Sequence, residues 1–329
     1  MKKYDLAFIF CANKKEPVLK WLHRECLLRK MKFLWVNEHN AHAVLHDIEH
    51  KKMHINYLVD NESNYYNPED IYLKICYAVK DDGGKVLEDP DTSRMWADKS
   101  VTHFDFLESN LPVPYTVVVR NWRPDNFILT RDQLKKLGSP FIIKPARGFG
   151  QRGVVKDGVY DINKIAQARH FSRGDNFLLQ EKIDPVAVDG EIGWFRIYYL
   201  FGEVIPCFWS PINGHYKHVE LKVMQKYHLW PLIDLVHKIE EVVRMHFFST
   251  EIAVSQKGRS RRFVIIDYVN DQCELCVRPA RIGGPVPEIV HHIAETFVRQ
   301  AWMQKVGKKP VLHHSIMLAH HRRKNEEKK

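Results

Sequence analysis

The sequence FIIKPARGFGQRGV, residues 141–154, decides how this chain is interpreted. An apolar run ends at Lys144-Pro145, and three glycines follow it closely: Gly148, Gly150 and Gly153. A buried strand that delivers a lysine to a flexible glycine loop is typical of sites where backbone N–H groups and an ammonium close over phosphates. Because glycines also serve ordinary turns, the assignment depends on the flanking sequence.

Length and composition predict a soluble globular protein. The 329 residues provide room for two or three domains, and apolar and charged contents of 45% and 27% are ordinary. The first apolar run, residues 6–12, is too short to span a bilayer and reads as a strand. Six scattered cysteines predict a reducing, cytoplasmic compartment. Cys273 and Cys276 form one CxxC pair without the second pair that a zinc site needs, which favours structural thiols.

The charge excess is concentrated in one place. The net charge is +10, and residues 305–329 contribute +6 of it through eight lysines and arginines against two glutamates. This basic tail is interpreted as a solvated end rather than a nucleic-acid site. The remaining excess of +4 suits a cleft for anionic substrates.

The order of elements predicts a β/α domain followed by two α+β units. A strand at 4–11, a helix at 17–30 and a strand at 31–36 begin the chain without the GxGxxG of a dinucleotide site. Breaker residues at 81–91 place a domain boundary near residue 95. The predicted domains are 1–95, 96–186, 187–304 and the tail 305–329. Further helices are predicted at 98–109, 232–247 and 286–304, and strands at 115–119, 140–145, 177–183, 193–200, 203–209, 249–255 and 262–269.

Four histidines recur at a spacing of four residues: His42, His46, His50 and His54. This spacing predicts that they lie along one face of a helix, where they could bind a metal ion. Since no carboxylate stands at matching positions, a partly exposed helix face is favoured over a metal site.

Several features follow in an order that resembles the ATP-grasp superfamily. They cover residues 95–300 and are Asp98-Lys99, Lys144 with its glycine loop, the QEKI segment at 180–183, Gly190-Glu191, Arg196, Glu251, and the DYVND segment at 267–271. The resemblance implies a two-subdomain ATP-grasp fold after an N-terminal β/α domain. It also implies ATP and Mg²⁺ as cofactors.

The nucleotide site that the resemblance implies has four parts. Lys99 and Lys144 would bind phosphates, and the loop 147–153 would form a lid over them. Residues 181–183 would read the adenine edge, and Glu191 would accept hydrogen bonds from the ribose. The implied nucleotide-binding residues are Lys99, Lys144, Arg147, Gly148, Gly150, Gly153, Glu181, Lys182, Ile183 and Glu191.

The implied metal ligands are Glu251, Asp267 and Asn270, and here the chain departs from the family. Relatives place the last two ligands two residues apart, on one face of a strand. Asp267 and Asn270 are three apart, which in a regular strand sends them to opposite faces. Either the strand bulges after Asp267, or Asp271 replaces Asn270. Two or three hard oxygen donors together with phosphate oxygens suit Mg²⁺.

Two arginines are candidate catalytic residues. Arg196 lies in the apolar strand GWFRIYYL and needs a partner there, which is either a phosphate or acyl-phosphate, or a structural carboxylate. Arg278, in RPARIGGP, would stabilise the oxyanion that forms when an amine attacks. The glycine loop also departs from the family, since Phe149 and Arg152 stand where relatives often have smaller residues.

The resemblance predicts an ATP-dependent carboxylate–amine ligase that works through an acyl-phosphate with Mg²⁺. Its expected partners are ATP, a small-molecule or peptide carboxylate and an amine acceptor. No membrane partner is expected, nucleic acid is disfavoured, and a homodimer is left open. The alternatives are an ATP-grasp kinase that phosphorylates a hydroxyl, and a non-catalytic nucleotide- or RNA-binding protein that uses the basic tail.

Overall fold

The computed structural model describes residues 1–123, 127–148, 150–258, 260–277 and 283–308. Most strands in these ranges belong to three sheets. They are β1 Lys2–Tyr4, β2 Leu6–Ile9, β3 Phe33–Val36, β4 Met53–Ile55, β5 Tyr57–Asp60, β6 Lys85–Leu87, β7 Thr116–Val119, β8 Phe141–Pro145, β9 Val155–Gly158, β10 Phe177–Gln180, β11 Ala187–Val188, β12 Glu191–Ile192, β13 Trp194–Leu200, β14 Glu203–Trp209, β15 Tyr216–His218, β16 Phe247–Lys257 and β17 Ser260–Asn270.

The helices of the same ranges connect and cover these sheets. They are α1 Pro17–Leu28, α2 Ala41–Glu49, α3 Ile71–Asp81, α4 Pro90–Trp96, α5 Lys99–Glu108, α6 Arg131–Leu137, α7 Ile162–Arg169, α8 Leu221–Lys226, α9 Pro231–Val243 and α10 Pro287–Lys305. Among the described residues, none of these helices is both long and apolar enough to cross a membrane.

The N-terminal part forms the predicted β/α arrangement. Its parallel sheet has the strand order β3-β2-β5-β6, and all four residues of β2 are buried. A continuous apolar run is what a strand covered on both faces requires. Helices α1 and α10, from opposite ends of the chain, share one core with β2 through Phe8, Leu22 and Phe297.

Two antiparallel sheets follow, as expected for the two later units. The first has the order β7-β10-β8-β9, and the second has the order β15-β14-β13-β16-β17. The face of the second sheet opposite the N-terminal part is covered by α9, whose Leu232, Val236 and Ile239 are fully buried. The predicted amphipathic helix is therefore confirmed, although it ends at Val243 because Arg244 turns left-handed with φ 57°.

Strand β10 ends at Gln180, three residues earlier than predicted. Gln180 is the last residue that pairs with both neighbouring strands, at Thr116 and Ile142. Residues 181–183 instead form the connection toward the second sheet, which Pro185 joins through a bridge to Ser255. Proline restricts the preceding residue and donates no hydrogen bond, which favours a crossing segment over a longer strand.

The prediction that four histidines share one helical face is wrong. Helix α2 ends at Glu49, and Lys51 adopts a left-handed backbone with φ 56°. The ring centres of His46 and His50 still lie 4.0 Å apart, but His54 lies on β4 and hydrogen-bonds to Asp82. The turn between α2 and β4 breaks the spacing that a longer helix would have kept.

Candidate functional site

Three polar residues form a row across adjacent strands of the second antiparallel sheet. Arg196 on β13 lies directly opposite Glu251 on β16, and Glu251 lies directly opposite Asp267 on β17. Directly opposite residues in antiparallel strands project from the same face. The sheet therefore presents one arginine and two carboxylates side by side.

The irregular register of β17 places Asn270 on the same side as Asp267. Ser249 pairs with Asn270 and Glu251 with Asp267, so two steps on β16 correspond to three on β17. The extra residue is a β-bulge, one of the two arrangements left open by the sequence. The other arrangement requires Asp271, but its carboxylate accepts a 2.6 Å hydrogen bond from the Tyr65 hydroxyl.

Asp267 carries a carboxylate oxygen without a hydrogen bond. Its Oδ1 is buried and has no hydrogen-bond partner in the part of the chain that the structure describes. The nearest cation, Lys99 Nζ, lies 3.8 Å away. Burial opposes ionisation, but the positive charges of Lys99, Lys144 and Arg196 together lower the pKa of Asp267. Asp267 is thus an ionised carboxylate with unused acceptor capacity.

Lys144 reaches the same strand from the other sheet. It stands on β8, is only 8% exposed, and donates a 2.9 Å hydrogen bond to the carbonyl oxygen of Ile266. Its ammonium lies 5.4 Å from the centre of the Tyr268 ring. Burial, together with repulsion from Lys99, lowers the pKa of Lys144 to about 8 although Asp267 and Glu251 oppose the shift. The ammonium is therefore held in place and easily deprotonated.

Lys99 connects the glycine loop to Asp267. It is the first residue of α5, which Asp98 caps by accepting a hydrogen bond from the Ser100 N–H. The Lys99 ammonium donates a 2.6 Å hydrogen bond to the carbonyl oxygen of Gly148. The Lys99 ammonium therefore lies between the Gly148 carbonyl oxygen and the Asp267 carboxylate.

The side chain of Arg147 is held in place by neighbouring side chains. Its Nε lies 3.0 Å from Asp98 Oδ2, and its guanidinium stacks 4.3 Å from the centre of the Tyr66 ring. Its backbone N–H donates to Asp175 Oδ2 at 2.8 Å. Sequence reasoning missed the roles of Tyr66 and Asp175, since neither belongs to a motif.

The glycine loop needs glycine at particular points. Gly150 and Gly153 have φ values of 58° and 71°, a region that favours glycine. A Cβ at Gly153 would also lie 2.4 Å from the Phe171 ring, which excludes any larger residue without rearrangement. Phe149 lies outside the described residues.

The connection at 181–183 borders an open depression of about 670 Å³. Glu181 is fixed there, because its backbone N–H donates to the Tyr115 carbonyl at 2.8 Å and its carboxylate accepts from the Tyr115 N–H at 3.2 Å. Lys182 lines the depression, while Ile183 is buried against Ala253 and Val264. These contacts fix the path of the connection at 181–183 between the two antiparallel sheets.

The sequence left two partners open for Arg196, a phosphate or acyl-phosphate and a structural carboxylate. In the structure its partner is a carboxylate of the protein. Its guanidinium donates to Glu251, and it also donates to the Tyr216 hydroxyl at 3.1 Å. The Trp194 indole N–H donates to the second oxygen of Glu251 at 3.0 Å. Both oxygens of Glu251 therefore already accept hydrogen bonds, which sequence reasoning did not anticipate.

Two further predicted site residues are Glu191 and Arg278. Glu191 on β12 forms a 3.0 Å ion pair with Lys217. Arg278 lies outside the described residues, as do residues 309–329 of the basic tail. The ribose-binding and oxyanion roles of Glu191 and Arg278 stay predictions.

Comparison with solved structures shows full-length likeness at low identity. The D-alanine–D-alanine ligase of Bacillus anthracis in complex with ATP matches with a TM-score of 0.60 and 13% identity, over 93% of this chain and 100% of that one. D-cycloserine synthetase DcsG matches with a TM-score of 0.62 and 12% identity, over 90% of this chain and 99% of that one. A RimK domain protein ATP-grasp from Sphaerobacter thermophilus matches with a TM-score of 0.57 and 14% identity, over 89% of this chain and 99% of that one. No family model and no curated protein matches the sequence. At these identities, the likeness establishes the fold.

Proposed function

The chain has the ATP-grasp fold that its sequence predicted, and we propose that it is an ATP-dependent ligase joining a carboxylate to an amine through an acyl-phosphate. The observation that carries the proposal is the convergence of two lysines on one carboxylate. Lys99 and Lys144 come from separate elements, and both lower the pKa of Asp267. Two ammoniums beside a carboxylate that retains acceptor capacity suit a triphosphate with its cation.

The nucleotide would lie between the two antiparallel sheets. Lys99 and Lys144 supply compact positive charge for phosphate oxygens, and the loop around Gly150 supplies backbone N–H groups. The connection at 181–183 supplies main-chain groups for the adenine edge, while Glu191 would exchange Lys217 for the ribose hydroxyls. In this arrangement Arg147 stabilises the loop through Asp98 rather than binding phosphate.

The donor set fits Mg²⁺ at Asp267 and Asn270. Asp267 offers a carboxylate oxygen without a hydrogen-bond partner among the described residues, and the bulge brings Asn270 to the same side. Glu251 would share its oxygens with Arg196 and Trp194, which makes it the weaker ligand. When bound, Mg²⁺ would supply positive charge that offsets the negative charge of the phosphates.

The protein's contribution to the chemistry is position and charge. The substrate carboxylate attacks the γ-phosphorus and releases ADP, and the amine then displaces phosphate from the acyl carbon. Lys99 and Lys144 hold the transferred phosphate in line with the attacking carboxylate. Such positioning and charge stabilisation account for most of the catalysis of phosphoryl transfer. Arg278 is proposed to donate a hydrogen bond to the oxyanion of the second step. Arg196 is proposed to reach the acyl-phosphate with those guanidinium N–H groups that do not bind Glu251.

The decisive experiment is product analysis with ATP, Mg²⁺ and a panel of carboxylates and amines. The small amino acids come first, because a D-alanine–D-alanine ligase is among the similar structures. A ligase requires both substrates and releases ADP and free phosphate in equal amounts. A carboxylate labelled with ¹⁸O transfers label to the phosphate only if an acyl-phosphate forms. Phosphate retained on the product would instead establish a kinase, and ATP binding without acceptor-dependent ADP would establish a binding protein.

A further inference from the structure

Helices α1 and α10 pack along each other as a parallel pair, although they come from the two ends of the described chain. Their order of contacts is the same in both helices. The rings of Trp21 and His291 lie 5.0 Å apart, and further along Lys305 Nζ donates to the carbonyl oxygen of Lys30 at 3.2 Å. Residues four positions apart lie on the same face of a helix, so such residues of α1 and of α10 line the seam, the line of contact between the two helices.

One point of this seam brings together three potential metal ligands. They are Glu25 of α1 and, one helical turn apart on α10, His291 and Glu295. One ligand atom of each lies within 4.8 Å of the other two. Glu25 is only 7% exposed, whereas the two α10 residues are partly exposed. The cluster is separate from the row formed by Arg196, Glu251 and Asp267.

The histidine ring has coordination capacity to spare. His291 Nε2 is buried and lacks a hydrogen-bond partner among the residues that the structure describes. A buried ring nitrogen without a partner is costly, and metal binding is one way to satisfy a histidine nitrogen. Glu25 is held in place by Arg29, whose Nη1 lies 2.5 Å from its Oε2, so the other oxygen can face the histidine. Such an outer contact orients a ligating carboxylate.

We propose that Glu25, His291 and Glu295 bind one divalent transition-metal ion of the zinc type. One imidazole and two carboxylates suit Zn²⁺ better than Mg²⁺ or Ca²⁺, which prefer all-oxygen shells. Bonds of about 2.0–2.1 Å place tetrahedral ligands about 3.3 Å apart, so the cluster closes slightly on binding. Water completes the coordination from the exposed side.

The role of this site is structural. An ion bound here joins the first helix of the N-terminal domain to the last described helix. Since the two helices share a core with β2, the ion would link both ends of the chain across the fold. A metal that binds only the native state raises the melting temperature, and above the dissociation constant the stabilisation grows with the logarithm of the free metal concentration.

The test is Zn²⁺ titration of the chelator-treated full chain, followed by calorimetry and by thermal unfolding. Other histidines, such as those at 313, 314, 320 and 321, also attract zinc. The informative quantity is therefore the difference in tight sites between proteins. We expect His291→Ala and Glu295→Gln each to lose one equivalent of tight binding and most of the zinc-dependent rise in Tm.

The matched control is His292→Gln, which removes the neighbouring histidine that instead pairs with Glu203 at 2.6 Å. It should retain both the equivalent and the rise in Tm. If His291→Ala unfolds, the partly exposed Glu295→Gln gives the answer alone. Equal stoichiometry and an equal rise in Tm for the wild type and Glu295→Gln would overturn the proposal, whatever the ATP-dependent activity proves to be.

Discussion

Lys144 on β8 donates a 2.9 Å hydrogen bond to the carbonyl oxygen of Ile266 on β17. This bond ties the two antiparallel sheets together at the residue that precedes Asp267. The ammonium is therefore fixed by the main chain, and its pKa is lowered to about 8 because it is buried. Preorganised charge of this kind stabilises developing negative charge without reorganisation at the moment of reaction.

We expect Lys144→Met to lower kcat/KM for ATP by about 100-fold or more, the usual cost of removing one such donor. The substitution keeps the volume of the side chain and removes the buried charge, so the fold should be retained. ADP release measures the activity, and circular dichroism with a thermal scan checks the fold. Lys136→Met, a surface lysine paired with Asp132, is the control and should change little. Activity within a few-fold of wild type in Lys144→Met would remove this lysine from the site.

ATP binding should take up a proton in alkaline solution. The ordinary pKa of lysine is near 10.5, and burial of Lys144 lowers it to about 8, so near pH 9 the free protein carries mostly neutral Lys144. Bound phosphates favour the ammonium and raise that pKa, so a proton binds with the nucleotide. Affinity for ATP should accordingly fall as the pH rises through about 8.

Calorimetry in two buffers of different ionisation enthalpy measures this uptake. Lys144→Arg is the matched control, because a guanidinium stays charged throughout this range and should abolish the uptake. An uptake of zero in the wild type near pH 9 would show that Lys144 does not meet the phosphates.

The sequence predicts the order of the major elements because their signals are local. Lys144 at the end of an apolar run and the periodicity of α9 each depend on a few neighbouring residues. The bulge that aligns Asp267 with Asn270 is different, since it depends on the register of β17 against β16. Pairings such as Arg196 with Glu251, 55 residues apart, are likewise set by tertiary structure. The histidine spacing failed for a related reason, because a turn at Lys51 overrides the periodicity.

Asp267→Asn should abolish Mg²⁺-dependent ATP turnover, and Asp271→Asn should not. Asp267 provides an oxygen near two lysines that lacks a hydrogen-bond partner among the described residues, whereas Asp271 accepts a hydrogen bond from Tyr65. Turnover measured across a range of Mg²⁺ concentrations distinguishes the two variants. Asp271→Asn should instead lower the melting temperature, since its hydrogen bond is buried. If the effects on turnover were reversed, Asp271 rather than the Asp267–Asn270 pair would be the ligand.

Arg196 and Glu251 should be strongly coupled in stability. Replacing one partner leaves the other as a buried, poorly compensated charge, so Arg196→Met and Glu251→Gln should each cost about 3 kcal/mol. The double variant should cost clearly less than the sum, because no unpaired charge remains. Urea unfolding of the four proteins gives the coupling free energy. Additive costs, within about 0.5 kcal/mol, would show that the pair does not act as a unit.

His103 should make the protein sensitive to acid. It is 1% exposed, hydrogen-bonds through Nδ1 to the Tyr268 hydroxyl at 2.7 Å, and has its pKa lowered to about 4, first by burial and then by the charge of Lys144. The unfolded chain takes up a proton on this residue below its ordinary value near 6.5, while the folded chain does so only near 4. Stability is therefore lost as the pH falls from about 6.5 to 4.

At pH 5 this loss amounts to about 2 kcal/mol relative to pH 7. His103→Gln keeps a polar partner for Tyr268 but cannot take up the proton, so its free energy of unfolding should fall by about 2 kcal/mol less between these pH values. The comparison isolates His103, because other buried groups such as Asp60, whose pKa is raised to about 6 by burial, titrate in both proteins. Urea unfolding at both pH values provides the measurement. Parallel pH dependences would mean that His103 has the same pKa in the folded and unfolded protein, so that burial does not keep its ring neutral at pH 5.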